Sequence, residues 1–440
     1  MSQDPQSQGN RLDPWFDAYA DRAHNLRASE IRALFSVVSR PEVVSLAGGM
    51  PNLKDLPLES LAETAKELIL SSGAQALQYG SGQGWEPLRE QLVNVMTYDG
   101  IIGADPDDVV ITTGSQQALD LMAELFIDSG DVVLAESPSY VGALGCFRAR
   151  QADVIHVDMD DNGIIPEALE ETIRRLKSAG RAIKFLYTIP NFQNPAGVTL
   201  SLERRPLIAE ICMREHVLIL EDNPYGLLGF DSDPLPALHS WSPEGVVYLG
   251  SVSKMFAPGM RIGWALAPHA IRAKLILASE AAILSPGMFG QMFLSSYLAG
   301  YDWYSQVKVY RAMYAERCQA MLDSLAEYMP DECSWTTPNG GFYTWVTLPE
   351  GLNARSMLPR AVKAQVAYVS GTAFYYDGRG TDHMRLSFCY PEPDRIREGV
   401  RRLAGVVNAE KQLVDMFGVA PEEDAEFLTN RHDGSVHTED

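Results

Sequence analysis

A chain of 440 residues exceeds what one hydrophobic core serves, so one large and one smaller domain are expected. Its 36 basic against 58 acidic side chains leave a formal charge of -22, a field that repels a phosphate backbone and excludes nucleic acid as a partner. Five cysteines (Cys146, Cys212, Cys318, Cys333, Cys389) form no CxxC pair, which argues against a zinc or disulfide framework and marks them as reduced packing residues.

The start, MSQDPQSQGNRLDPW, is polar and has no secretory apolar core, and no later apolar run is long enough to span a bilayer. The cytoplasm is the predicted compartment. Residues 1–12 lack periodicity and read as disordered. A helix is predicted near Ser29, with Ser29 as its cap and Ile31, Leu34 and Phe35 on one face. EVVSLAGGMPN (42–52) reads as a short strand running into Gly48 and Gly49. An amphipathic helix from Leu58 to Leu70 leads to LQYGSGQGWEPLRE, where Tyr79 precedes a glycine-rich turn and Pro87 opens the next helix.

The middle of the chain repeats one pattern: a short apolar strand, then small or polar residues, then a helix. Strand Val109 to Thr112 is followed by Gly114-Ser115 and a helix from Gln116; strand Val132 to Ala135 by Ser139 and Tyr140. Strand Ile183 to Thr188 is followed by Asn191 and Asn194, and strand Val217 to Leu220 by Asp222 and Tyr225. VVYLG (246–250) and IGWALA (262–267) are two further strands, with SVSK and Arg261 between them. Nearly continuous apolar strands alternating with helices imply an α/β fold with a mostly parallel sheet covered on both faces, where ligands collect at the carboxyl ends of the strands. A long helical stretch, about Gln291 to Tyr328, reads as a link to an α+β layer containing FYTWVTLP, VAYVSG and HMRLSFCY. The division expected is a smaller domain of residues 13–50 and 305–418, a larger one of 51–304, and an acidic disordered tail, 419–440.

Lys254 lies at a strand end, where an amine held beside cationic or apolar groups can condense with a carbonyl. Gly114, Ser115 and Gln116 start a helix after a strand, and with Ser251, Ser253 and Arg261 they suit a phosphate. Asp222, following an apolar strand, calls for a cation such as a protonated ring nitrogen. Tyr140 offers a stacking ring, and Asn194 and Tyr225 offer donors to a phenolate oxygen. Phosphate, basic aromatic ring, phenolate and aldehyde together describe pyridoxal 5'-phosphate; no metal is called for.

These motifs, in the order SLAGGMPN, LQYGSGQGWEPLR, ITTGSQQALDL, ESPSYVGAL, PNFQNPAG, EDNPYG, SVSKMFAPGMRIGW and MRLSF, resemble the fold-type I, class I/II pyridoxal-phosphate-dependent aminotransferases. The resemblance runs from about Ser29 to Ala404 and is nearest to the 2-aminoadipate and kynurenine aminotransferase branch, which is similar to the catalytic-like domain of MocR regulators. It implies a seven-stranded-type, mostly parallel sheet and a homodimer with shared sites. It also implies that Lys254 links to the cofactor aldehyde, Asp222 pairs with the ring nitrogen, Asn194 and Tyr225 contact the ring oxygen, and Tyr140 stacks on the ring. Ser115, Gln116, Ser251, Ser253 and Arg261 would line the phosphate, joined by Tyr79 of the other subunit. Arg385 would bind the substrate α-carboxylate, Gly49 would approach it through its backbone, and Arg32 would read an acidic side chain. NPAG stands where the family more often has NPTG, and AAILSPGMFG departs from the branch around the side-chain pocket. The implied reaction moves an amino group from an L-amino acid to a 2-oxo acid such as 2-oxoglutarate. A lyase or racemase would use the same cofactor residues, and a MocR-type sensor would need a DNA-binding module ahead of them.

Overall fold

The computed structural model describes residues 13–24 and 40–418. The helix expected around Ser29, with Arg32 in it, lies outside them, as do residues 1–12 and the acidic tail.

Strand β1 (Val44–Ser45) is followed by the strands of an eight-stranded sheet: β2 (Val109–Thr112), β3 (Val132–Ser137), β4 (Asp153–Asp160), β5 (Gly163–Ile164), β6 (Ile183–Thr188), β7 (Leu218–Asp222), β8 (Val246–Ser251) and β9 (Gly263–Leu266). Their order across the sheet is β2-β9-β8-β7-β6-β3-β4-β5. The pairs β8/β7, β7/β6, β6/β3 and β3/β4 are parallel, whereas β9 runs antiparallel to both β2 and β8, and β5 antiparallel to β4. Six strands therefore point the same way. The seven strands expected are joined by the two-residue β5.

Alternate residues of β3 explain why these strands read as unbroken apolar runs. Val133 and Ala135 pack into one cluster with Leu119 and Met122 of helix Ser115–Phe126 and Phe147 of helix Val141–Ala149. Val132 and Leu134 pack into a second cluster with Leu169 and Ile173 of helix Pro166–Ser178 and Ile208 of helix Arg204–Arg214. Both faces are covered, so neither needs polar side chains.

The helical stretch expected over 291–328 is two helices, Met288–Gly300 and Trp303–Tyr328, because Asp302 caps the second by accepting from the Ser305 amide at 3.1 Å. Beyond it come β10 (Ser334–Trp335), β11 (Tyr343–Thr347), β12 (Val366–Ala367), β13 (Val369–Ser370) and β14 (His383–Ser387). Strands β10-β11-β14-β13 form an antiparallel sheet, while β12 pairs in parallel with β1. The segment before Gly48 is thereby stitched to the C-terminal part of the chain.

Candidate active site

Because β2, β3, β6, β7 and β8 run in one direction, the residues following each are delivered to one edge of the sheet. There a cavity of ≈ 280 Å³ is lined by Gly49, Ser115, Gln116, Tyr140, Asn194, Asp222, Tyr225, Ser251, Ser253, Lys254, Arg261 and Arg385. Of the residues read from the sequence, Tyr79 lies outside this cavity, its side chain exposed (77 %), and Arg32 lies outside the described residues.

Lys254 sits in the turn after β8, and its Nζ donates to the Gly49 carbonyl at 2.7 Å. Burial lowers its pKa from 10.5 to about 8; the Cys389 thiol opposes the shift, and Arg385 and Arg261 add to it. A free amine is thus accessible near neutral pH. Gly49 has a second reason to be glycine: a Cβ there would overlap the Tyr343 hydroxyl.

Asp222 ends β7 with 2 % exposure. Its Oδ2 accepts from the Tyr187 hydroxyl at 2.9 Å, and its buried Oδ1 has no partner. Burial pushes this carboxyl up to about 7, and the Tyr187 bond holds it back only in part. A cationic N–H donor at Oδ1 would relieve both the missing hydrogen bond and the unpaired charge.

The anion end is built on backbone. Gly114 takes φ 75° and starts helix Ser115–Phe126, whose first turn carries no side-chain cap. A Cβ on Gly114 would lie 2.5 Å from Arg261 Nη2, and one on Gly263 would lie 2.5 Å from the Ser115 amide nitrogen. Two glycines therefore let β9 and Arg261 close on the helix start. Arg261 adopts φ 51°, and its Nη1 donates to the Pro258 carbonyl at 3.2 Å. Ser251 Oγ donates to Ser253 Oγ at 3.0 Å and accepts from the Ser253 amide at 3.1 Å. The Gln116 side chain faces away from this end: Nε2 donates to the Gly142 carbonyl at 3.0 Å, and Oε1 accepts from the Tyr140 hydroxyl at 3.3 Å. What it would offer an anion is its backbone amide.

Arg385 arrives from β14, 2 % exposed. Its Nη1 donates to Asn194 Oδ1 at 2.9 Å and its Nη2 to the Ala47 carbonyl at 2.6 Å. The guanidinium lies 4.1 Å from the centre of the Tyr343 ring, and Nε has no partner. No carboxylate among the described residues pairs with it.

Sequence reasoning missed Tyr343, Ile189, Pro224 and Pro258 on the wall and Tyr187 behind it. Tyr343 follows the Gly340-Gly341 pair, a sign of close backbone approach; Tyr187, inside an apolar strand, carries no such sign.

The site fits a phosphorylated aromatic aldehyde with a protonated ring nitrogen. Lys254 would supply the amine, the orphaned Asp222 Oδ1 the nitrogen's partner, and the glycine-lined helix start with Arg261 the anion cradle. Residues 41–403 match the family Aminotransferase class I and II. The chain belongs to that family, and it is a pyridoxal-phosphate-dependent aminotransferase of fold type I. It is 41 % identical over 394 residues to aromatic-amino-acid aminotransferase 1 of Thermococcus litoralis, covering 89 % of this chain and 94 % of that one. The crystal structure of Pyrococcus horikoshii kynurenine aminotransferase in complex with PMP is similar at TM-score 0.85 and 40 % identity, covering 89 % of this chain and 97 % of that one. LysN, the alpha-aminoadipate aminotransferase of Thermus thermophilus, complexed with N-(5'-phosphopyridoxyl)-L-leucine, gives TM-score 0.84 and 37 % identity over 91 % of this chain and 100 % of that one.

Proposed function

We propose that the enzyme moves the amino group of L-amino acids with acidic, aromatic or branched side chains to a 2-oxo acid such as 2-oxoglutarate. The observation that carries this is Arg385, a buried guanidinium that no carboxylate of the described residues pairs with, lining the cavity that also holds Lys254 and Asp222. An α-carboxylate is the anion it lacks. The breadth of side chains rests on the relatives, which are named for aromatic amino acids, kynurenine and aminoadipate, the last of them complexed with a leucine adduct.

Bound in this cavity, pyridoxal phosphate supplies an aldehyde that takes up the amino group and a ring that draws off the electron pair released at Cα. Asp222 keeps a proton on the ring nitrogen through Oδ1. Asn194, its oxygen held by Arg385, donates through Nδ2, and Tyr225 donates through its hydroxyl. Lys254 would hold the aldehyde, and its Nζ would carry the proton removed from the substrate Cα. Tyr140 covers the ring, while the amides of Ser115 and Gln116, Ser251, Ser253 and Arg261 bind the phosphate.

A panel of amino acids with 2-oxoglutarate, scored for conversion of the bound cofactor, tests the donor range. Within that panel, Arg385→Lys should lower kcat/KM about 10- to 100-fold for every donor, since lysine keeps the charge and loses the planar fork. A loss confined to acidic donors would move Arg385 from the α-carboxylate to the side chain.

We also infer a cytoplasmic homodimer with shared sites, in which residues 13–50 and 305–418 form the smaller domain and 51–304 the larger. The five buried, unpaired cysteines suit a reducing compartment. The exposed Tyr79 suits a residue that serves the neighbouring phosphate. Mixing Tyr79→Phe subunits with Lys254→Ala subunits places both defects in one site of a heterodimer and leaves the other intact. Activity above the average of the two parents is the expected result; a fully active monomer in the ultracentrifuge would refute the arrangement.

A further inference from the structure

Glu136, the penultimate residue of β3, is a carboxylate with 2 % exposure and no cationic partner among the described residues. Such a group is costly to bury, and it is retained here with three donors. Thr188 Oγ1 donates to Oε1 at 2.6 Å; the Ile189 amide and Gln193 Nε2 donate to Oε2 at 3.1 and 2.9 Å. Gln193 then organises its own loop. Its Nε2 also donates to the Pro138 carbonyl at 2.7 Å, and its Oε1 accepts from the Ala196 amide at 2.8 Å. Asn194, the next residue, lines the cavity and accepts from Arg385 through Oδ1, which leaves Nδ2 to serve a ligand. One carboxylate thus ties the end of β3, four residues before Tyr140, to the loop that carries Asn194.

We propose that Glu136 is a positioning residue for the reaction, acting through Gln193 to hold the Asn194 amide nitrogen toward the ring oxygen of the bound cofactor. This rests on the cofactor roles given above. A donor at that oxygen stabilises its anionic form, so its loss makes the lysine-linked chromophore harder to deprotonate.

The test is a pH titration of the visible band of the holoenzyme, with thermal unfolding measured alongside. Asn194→Ala should raise the midpoint by about 1 pH unit, as expected for a lost hydrogen bond to a charged group. Glu136→Ala and Gln193→Ala should raise it in the same direction. In the Asn194→Ala background neither should move it further, because the residue they position is gone. Glu136→Gln should restore the wild-type midpoint: its oxygen still accepts from Ile189 and Gln193, and the Thr188 hydroxyl turns to accept from the new amide.

If Glu136→Ala does not fold, Gln193→Ala carries the comparison. A midpoint unchanged in Gln193→Ala while Asn194→Ala moves it would reduce Glu136 to a structural acid. Shifts that persist in the Asn194→Ala background, or a shift in Glu136→Gln, would mean that its charge acts directly on the ring or on Asp222, and would overturn the proposal. A wild-type protein with no visible band would instead remove the cofactor roles on which it rests.

Discussion

Lys254→Ala is expected to abolish transamination, with a loss of at least about 10⁴-fold, the upper end for a single proton-transfer group, because the same amine also carries the covalent link. Borohydride should fix cofactor to the wild-type protein at Lys254 and nowhere in the variant; label on another lysine would move the active amine elsewhere. The wild-type amine has a pH signature too. Burial first, then Arg385 and Arg261, bring its pKa down to about 8. Condensation of added pyridoxal phosphate with the apoprotein should therefore accelerate as pH rises through about 8. A midpoint near 10.5, the ordinary lysine value, would mean that the Lys254 turn opens to water before the cofactor arrives.

The second large effect is expected at Asp222. Removing one partner of a buried charge pair typically costs about 3–5 kcal/mol, so Asp222→Ala should lower kcat by about 10²- to 10⁴-fold at saturating cofactor. Near-normal turnover would leave Asp222 as an ordinary strand-end residue. The same carboxyl links cofactor binding to stability. Its folded pKa, about 7, lies above the ordinary 3.8. Its contribution to apoprotein stability is therefore fully present below the ordinary value and lost as pH rises through about 7. A cation at Oδ1 cancels that loss. The gain in Tm on adding cofactor should thus be larger at the alkaline end of this window, and Asp222→Asn should flatten the difference. Glu221 and Asp99 are also pushed up by burial, but they sit in both forms and drop out of the comparison. Glu136, raised first by burial and also by the Asp222 charge, calls for the same comparison in Glu136→Gln.

The parts of this site that were legible in the sequence lie where period and polarity change together. Lys254, Asp222, Asn194 and Tyr140 each follow an apolar run that both clusters of the core require, so a polar side chain there stands out against its neighbours. β4 was not visible in that way. Its half-buried pattern, with Asp158 and Asp160 at the outer end, gives no continuous apolar run. The break at Asp302 was missed because an aspartate amid helical periodicity reads as a surface residue until its cap to Ser305 is seen. Tyr343 and Glu136 escaped notice for another reason. One depends on the pairing of β11 with β14, and the other on donors 52 to 57 residues away. The glycine pair ahead of Tyr343 signals a close approach without saying to what, and Glu136 has no local signal at all.

The guanidinium of Arg385 is held by Asn194 and by the Ala47 carbonyl before any substrate enters, so it cannot turn away to solvent when the incoming molecule brings no negative charge. An amino acid and the amine it becomes on losing carbon dioxide would bring the same nitrogen to the cofactor aldehyde that Lys254 holds. Only the first would neutralise the buried arginine. The amine leaves it desolvated and unpaired, a penalty of about 10²- to 10⁴-fold. With Arg385 in the proposed role, a polyamine or an aromatic amine would thereby be refused at the carboxylate end, whatever the other end of the cavity accepts. The breadth proposed for side chains can coexist with strictness about the one group that every donor shares.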